Sequence, residues 1–193
     1  MLEMMIAMAI VLILSALAVP TLNVIRMARL REAGSDYASM LQNARITAIQ
    51  NDTYYAVVTA AGPPMEAFID LNGNGILDKG EPVLALPSNV FIRTYANNPP
   101  ALGNLETQSL ASSSDPSLDT ADNPTFGPRG LPCRPVTASG YTTCLAYNGA
   151  VTGTSFVTFF QSEPDGPWLA VVANPSARVR IFKYSVNAWA PVQ

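Results

Sequence analysis

The chain has 193 residues, of which 49% are hydrophobic and only 13% are charged, and it contains no histidine. This length can bury a core of ordinary size, which excludes disorder over the whole chain. The lack of histidine excludes Ser-His and Cys-His nucleophiles and most catalytic zinc sites, so we expect no enzyme activity. A net charge of −3 also excludes a surface that binds nucleic acid throughout, because such surfaces are strongly basic.

The first 52 residues predict one long helix. No charged residue occurs from Met4 to Ile25, which predicts a membrane span, with a cleaved signal peptide as the alternative. After Arg26, apolar residues recur at spacings of three and four, namely Leu30, Ala33, Tyr37, Leu41, Ala44 and Ala48. Because such a helix is about 75 Å long, its second half must pack on something outside the lipid.

Two residues of this helix are costly in an apolar segment. Glu3 places a carboxylate at its start, where it requires an interfacial position or a cationic partner. Pro20 removes a backbone donor and loosens or kinks the preceding turn. The stretch from Met1 to Pro20 resembles the N-terminus of type IV pilins and type II secretion pseudopilins. In one register, the near-invariant glutamate of that class falls on Glu3 and its helix-loosening proline falls on Pro20.

The resemblance implies a maturation step and a function. In that class a prepilin peptidase cuts after a glycine and methylates the new N-terminal residue, which in this register precedes Met1 by two positions. The subunit is implied to lie in the bacterial inner membrane before assembly, and then in an extracellular or periplasmic filament. Its implied partners are copies of itself or related pilins, and the pilus or secretion machinery. Glu3 would pair with the N-terminal amine of a neighbouring subunit, and Pro20 would let the helix adapt to the bundle.

From residue 53 onwards the pattern changes to short runs of β-branched and aromatic residues separated by Gly, Pro, Asn and Asp. This pattern predicts an antiparallel sheet or sandwich. We expect strands at residues 53–60, 65–70, 82–86, 89–96, 141–147, 155–161, 168–174 and 177–184. A segment rich in Ser, Pro, Asn and Asp, residues 97–125, predicts a long surface loop.

The predicted fold class is therefore α+β, with a long N-terminal helix packed on an antiparallel β-sheet or sandwich head. The helix covers residues 1–52, of which 1–25 form the transmembrane or filament-core part, and the head covers residues 53–193. The helix has four basic and four acidic residues, so the head, with seven basic and ten acidic residues, carries the net charge.

One run in the head, FIDLNGNGILDKGEPVL, has the spacing of a twelve-residue calcium loop. Alternate oxygens on such a loop converge on one hard cation, Gly75 permits the sharp turn, and Glu81 can bind with both oxygens. The alternative is a hairpin turn without metal, because Asn-Gly pairs are strong turn formers. The candidate calcium ligands are Asp70, Asn72, Asn74, the Ile76 carbonyl, Asp78 and Glu81.

This run also points to one family within the pilin and pseudopilin class. The acidic loop between strands is followed by a Phe-x-Pro-x-Gly element at Phe126, Pro128 and Gly130, and then by a terminal strand with Arg-x-Arg. Together these look like the GspH/FimT family of pseudopilins and minor pilins. The resemblance covers nearly the whole chain, and it implies a long helix on a β-sandwich-like head, with the helices bundled in the filament core and the heads outside.

Cys133 and Cys144 are the only two cysteines. In an extracytoplasmic head we expect them to form a disulfide across a short loop, worth about 3 kcal/mol in the loop-entropy model. Two free, buried thiols are the alternative.

The last predicted strand gives a second functional hypothesis. Strand alternation puts Arg178 and Arg180 on one face with Phe182 and Tyr184, which is a pattern that can bind phosphates and stack on bases. Lys183 adds a positive charge on the opposite face. Some FimT-like minor pilins take up DNA through a Gly-Arg-x-Arg element at this place, although here Ala177 stands in the position of that glycine. A polar outer sheet face is the other interpretation.

Overall fold

The computed structural model describes residues 2–60, 62, 64–93, 97, 99–101, 103, 105, 118–119, 123–133, 135–138, 141–144, 146–147, 150–151, 155–163 and 166–192. For residues 2–5, 7, 9–23, 118–119, 135–138, 141–144, 146–147 and 150–151 the description is of the backbone only.

A single helix, α1, runs from Leu2 to Gln50 and contains 49 residues. At 1.5 Å per residue it is about 74 Å long. It continues through Pro20, so the described backbone shows no break at the position where we predicted a looser turn. It ends in a Schellman motif in which the Thr53 amide donates to the Ala48 carbonyl at 3.1 Å and Asp52 has a φ of 51°. A left-handed Asp52 therefore takes the position that glycine usually has.

The amphipathic face predicted on α1 is confirmed, because every residue named for it is buried: Leu30, Ala33, Tyr37, Leu41, Ala44 and Ala48. Leu30, the first residue of this face, lies just past the midpoint of the helix. The second half of α1 is thus the part that packs on the head.

The head contains fifteen strands in the described part of the chain. They are β1 (Tyr55–Ala60), β2 (Glu66–Asp70), β3 (Val83–Ala85), β4 (Val90–Arg93), β5 (Leu118–Asp119), β6 (Thr125–Phe126), β7 (Pro132–Cys133), β8 (Pro135–Ala138), β9 (Tyr141–Cys144), β10 (Ala146–Tyr147), β11 (Ala150–Val151), β12 (Ser155–Ser162), β13 (Trp168–Ala173), β14 (Val179–Ser185) and β15 (Ala188–Pro191).

The strands form two main antiparallel sheets. The first has the order β3-β2-β1-β6-β7, and the second has the order β15-β14-β13-β12-β4. Strand β5 adds to β12 in the parallel direction, and two short ribbons pair β8 with β9 and β10 with β11. The chain is therefore α+β, with one N-terminal helix on two antiparallel sheets, as the coarse prediction states.

Two apolar clusters stabilise the head. The larger one joins the buried face of α1 to residues of both sheets, including Val57, Phe126 and Leu169. The smaller one lies on the opposite face of the second sheet and consists of Leu105, Val157, Phe159, Ala170, Val172, Phe182 and Trp189. The Trp189 indole donates to the Ala101 carbonyl at 2.9 Å. Ala101 and Leu105 thus lie against part of this outer face.

The strand predictions differ from the structure in identifiable places. The run predicted at 141–147 forms two strands, β9 and β10, which belong to separate ribbons. The strand predicted at 177–184 begins at Val179, because Ala177 has a φ of 62° and closes the preceding turn. Residues 94–96 and most of the loop predicted at 97–125 lie outside the described residues. Within that loop, Leu118–Asp119 forms a strand.

Candidate functional site

The N-terminal half of α1 is the first candidate site. Four of its side chains are described, and all are large, apolar and exposed: Ile6 (53%), Met8 (70%), Val24 (69%) and Ile25 (47%). Among the side chains that the structure describes, Leu30 is the first of the helix to be fully buried. The helix from Leu2 to Ile25, about 24 residues and roughly 36 Å long, thus precedes its first described contact with the head, which is made by Arg26.

The predicted assembly residues lie in this half. The backbones of Glu3 and Pro20 are helical, and their side chains lie outside the described residues. The same holds for residues 9–23, which make up most of the predicted membrane span. Among the residues that the structure describes, no helix is both long enough and apolar enough to cross a bilayer.

Two contacts between α1 and the head escaped the sequence analysis. The Arg26 guanidinium lies 3.0 Å from a carboxylate oxygen of Glu163, in the turn after β12, and both side chains are partly exposed. Nearer the end of the helix, Arg45 Nη1 donates to the Ala177 carbonyl at 3.4 Å. Both partners are more than a hundred residues away in the sequence, so no local pattern pointed to them.

The second candidate site is the loop from Asp70 to Glu81, between β2 and β3, where all six predicted calcium ligands fall. Asp70 is buried at the end of β2, and its two carboxylate oxygens accept hydrogen bonds from the amides of Gly73 and Gly75, each at 2.7 Å. Glu81 closes the loop from the other end, where its two oxygens accept from the Leu71 and Asp78 amides at 2.9 Å.

Asp78 lies where the loop side chains meet. Its Oδ2 accepts from the side-chain amides of Asn72 at 2.6 Å and Asn74 at 2.7 Å. These two hydrogen bonds lower the pKa of the fully exposed Asp78 carboxyl below its ordinary value, and the bond from Asn72 has the larger effect. The Oδ1 atoms of Asn72 and Asn74 accept from the backbone amides of Asn74 and Ile76, at 3.0 and 2.7 Å.

The orientation of the loop amides bears on the predicted calcium site. Asn72 and Asn74 direct nitrogen atoms towards Asp78, whereas a calcium site needs oxygens. Of the side chains that the structure describes, no group of three or more His, Cys, Asp or Glu is placed to hold a metal. The side-chain amides would have to turn for calcium to bind, and calcium at this loop stays a prediction.

The Phe-x-Pro-x-Gly element forms a tight turn under the end of α1. Phe126 is fully buried, and the Gly130 amide donates to the Gly127 carbonyl at 2.8 Å. Gly130 has a φ of 69°, and a Cβ at this position would lie 2.6 Å from Ile49 Cδ1. A larger residue at this position would therefore be strained at the backbone, and it would require the Ile49 side chain on the helix above to shift.

The C-terminal strand β14 only partly matches the predicted DNA-binding surface. Arg180 pairs with Val172 and shares the outer sheet face with Phe182, whereas Lys183 pairs with Leu169 on the face towards α1. Arg178 precedes the strand and is exposed. Phe182 is only 3% exposed, packed in the smaller apolar cluster, so it does not offer a ring for stacking on a base.

Cys133 lies in β7, is buried, and is disulfide-bonded. The only other cysteine of the sequence is Cys144, at the end of β9. Cys133 is thus not available as a reactive thiol.

An open groove of about 530 Å³ lies between α1 and the edge of the first sheet. It is lined by Asp36, Ser39, Met40, Gln42, Asn43, Ile46, Ile69, Pro82, Val83 and Leu84. A nucleophile paired with a base does not occur among these lining residues.

Comparison with known proteins adds no relative: no family model matches the chain, and neither curated proteins nor solved structures show a significant similarity to it.

Proposed function

We propose that this chain is a structural subunit of a type IV pilus-like filament that assembles through its N-terminal helix. The observation that carries the proposal is the division of α1 into two halves. From Leu30 onwards the helix buries an apolar face in the head, whereas Ile6, Met8, Val24 and Ile25 expose large apolar side chains. A helix with such an exposed end requires another apolar environment, because each large apolar side chain gains about 1.5–3 kcal/mol on leaving water.

Lipid would provide that apolar environment before assembly, and neighbouring helices would provide it afterwards. Before assembly, the N-terminal half of α1 would lie in the inner membrane. The support for this step is the uncharged sequence from Met4 to Ile25, because no helix among the described residues is long and apolar enough to cross a bilayer. During assembly, the same half would leave lipid for a bundle of equivalent helices, so its apolar surface stays buried. The Glu3 carboxylate would then need a cation in that bundle, such as the N-terminal amine of a neighbour.

The test is electron microscopy of filaments sheared from the source cells, with mass spectrometry of their composition. Filaments built mainly of this chain would identify it as the major subunit. Filaments that contain it in trace amounts would identify a minor subunit, and cells in which it never enters a filament would overturn the proposal.

DNA uptake through Arg178, Arg180 and Lys183 has less support. The burial of Phe182 removes one of the two rings on which the hypothesis depended, and Lys183 lies on the other face of the sheet. Loss of DNA retention in an Arg178→Ala/Arg180→Ala variant would nevertheless restore this function as an additional one.

A further inference from the structure

The loop between β2 and β3 contains two Asn-Gly pairs, Asn72-Gly73 and Asn74-Gly75, and a third pair occurs at Asn148-Gly149. Asn-Gly is the dipeptide in which asparagine deamidates most readily, because glycine leaves its own nitrogen unhindered. That nitrogen attacks the asparagine Cγ, the bond from Cγ to Nδ2 breaks, and the glycine proton leaves with Nδ2 as ammonia. Water then opens the cyclic imide to aspartate or isoaspartate.

Both attacking nitrogens of this loop bind the same carboxylate. The Gly73 amide donates to Asp70 Oδ1 and the Gly75 amide donates to Asp70 Oδ2, each at 2.7 Å. Asp70 is itself only 4% exposed and is held by the last pairing of β2 with β1, opposite Ala56. The carboxylate is thus anchored in the sheet, while the two asparagines lie in the exposed loop.

We propose that Asp70 suppresses deamidation of both Asn72 and Asn74, and that these asparagines become modification sites of the chain when its hydrogen bonds are lost. Attack requires the glycine nitrogen to lose its proton, which would place a second negative charge beside the Asp70 carboxylate. Attack also requires the nitrogen to turn towards Cγ, which breaks a short, charge-assisted hydrogen bond. One such bond is enough to slow a reaction that must break it by roughly tenfold or more.

The leaving groups are restrained as well, because Nδ2 of Asn72 and of Asn74 both donate to Asp78. Deamidation would replace these two donors with carboxylates that face the Asp78 charge. The loop would then hold five acidic side chains instead of the present Asp70, Asp78 and Glu81. Modification therefore changes the loop from a self-bonded turn into one that repels itself unless a cation binds.

The experiment measures deamidation site by site in the full-length chain, kept in detergent micelles at mildly alkaline pH and analysed by peptide mapping with mass spectrometry. We expect Asp70→Asn to raise the rates at Asn72 and Asn74 roughly tenfold or more. Asn148 serves as an internal reference, and its rate should not change. Glu81→Gln is the matched control, because Glu81 binds the Leu71 and Asp78 amides and contacts neither a glycine amide nor an asparagine side chain of the two pairs. It should have the smaller effect.

Unchanged rates at Asn72 and Asn74 in a folded Asp70→Asn variant would overturn the proposal, and so would an equal acceleration by Glu81→Gln. If the Asp70→Asn variant fails to fold, the wild-type chain still tests the proposal. Its rates at Asn72 and Asn74 must be lower under native conditions than in urea, and its Gly73 and Gly75 amides must exchange slowly with solvent. Equal native and denatured rates at both sites would also overturn it.

Discussion

At the scale of single residues, Tyr37 shows how burial on the helix face produces a measurable chemical property. Its ring contacts Phe160 edge-on with centroids 5.2 Å apart, and its hydroxyl accepts a hydrogen bond from Thr158 Oγ1 at 3.2 Å. Complete burial raises the pKa of Tyr37 from 10.0 to about 12, and the Thr158 hydrogen bond opposes this rise only in part. The folded chain therefore keeps this phenol protonated under conditions in which the unfolded chain ionises it.

Because the pKa of Tyr37 is raised in the folded state, the free energy of unfolding falls as the pH rises. Below about pH 10 the phenol is protonated in both states, so the free energy of unfolding has no contribution from Tyr37 ionisation. Between about pH 10 and 12 only the unfolded state loses its proton, and stability falls by about 3 kcal/mol in total. Urea titrations at a series of alkaline pH values should show this loss in the wild type.

Tyr37→Phe provides the control, because it keeps the ring and removes the ionisable group. Because the two proteins differ only in this hydroxyl, the difference between their two pH profiles isolates Tyr37. If both proteins lost stability in parallel from pH 10 to 12, Tyr37 would not be the group responsible.

At the scale of elements, the contact between the end of α1 and the turn from β6 to β7 depends on Gly130. We expect Gly130→Ala to lower the free energy of unfolding by about 1–2 kcal/mol more than Gly75→Ala, because overpacking adds to backbone strain. Both glycines have similar φ values, 69° and 73°, but a Cβ at Gly75 would have nothing within 4 Å. Chemical denaturation of the two variants measures the difference.

A second substitution makes this prediction stricter. Ile49→Val removes the Cδ1 atom that would lie 2.6 Å from a Cβ at residue 130, and Ile49 is itself half exposed, so its own cost should be small. The double variant should recover part of the stability lost in Gly130→Ala. If the double variant lost as much stability as the two single variants together, Ile49 would not be the side chain that obstructs a Cβ at residue 130.

The acidic loop is the second element with a test of its own. If calcium binds Asp70, Asn72, Asn74, Ile76, Asp78 and Glu81, a chelator should lower the melting temperature and added calcium should restore it, because a ligand of the folded state stabilises it by mass action. Glu81→Gln should abolish the response. If neither chelator nor added calcium changes the melting temperature, the loop does not bind calcium and is a turn stabilised by its own hydrogen bonds.

The same elements show which features the sequence could predict. The three- and four-residue spacing identified the buried face of α1 from Leu30 to Ala48, because helical periodicity is a local signal. The calcium-loop spacing also assigned all six candidate ligands to the one loop between β2 and β3. It did not predict that Asn72 and Asn74 direct nitrogens at Asp78, since amide orientation depends on the whole hydrogen-bond network.

Features that depend on distant pairing were missed. The two-residue strand Leu118–Asp119 has too few residues for an alternating pattern, and its pairing partner, β12, is distant in the sequence. The burial of Phe182 likewise depends on the second apolar cluster, to which Leu105 contributes from a distant segment. A strand that alternates correctly in sequence can therefore have both faces covered.

At the scale of the whole molecule, the two halves of α1 have separate roles that substitutions can distinguish. We expect Glu3→Ala to leave the head folded, because the described contacts of α1 with the head begin at Arg26 and the buried face begins at Leu30. The same substitution should reduce incorporation into filaments, since it removes the carboxylate proposed to bind a cation of a neighbouring subunit. Filament yield and head unfolding, measured on the same variant, check both statements.

Glu32→Ala is the matched control, because it removes an exposed carboxylate from the same helix beyond the proposed bundle segment. It should change neither filament yield nor, beyond a few tenths of a kcal/mol, the free energy of unfolding. Normal yield with Glu3→Ala would show that register in the filament does not depend on this carboxylate. Equal loss with both variants would show instead that assembly responds to the charge of α1 as a whole, and the specific role of Glu3 would then be wrong.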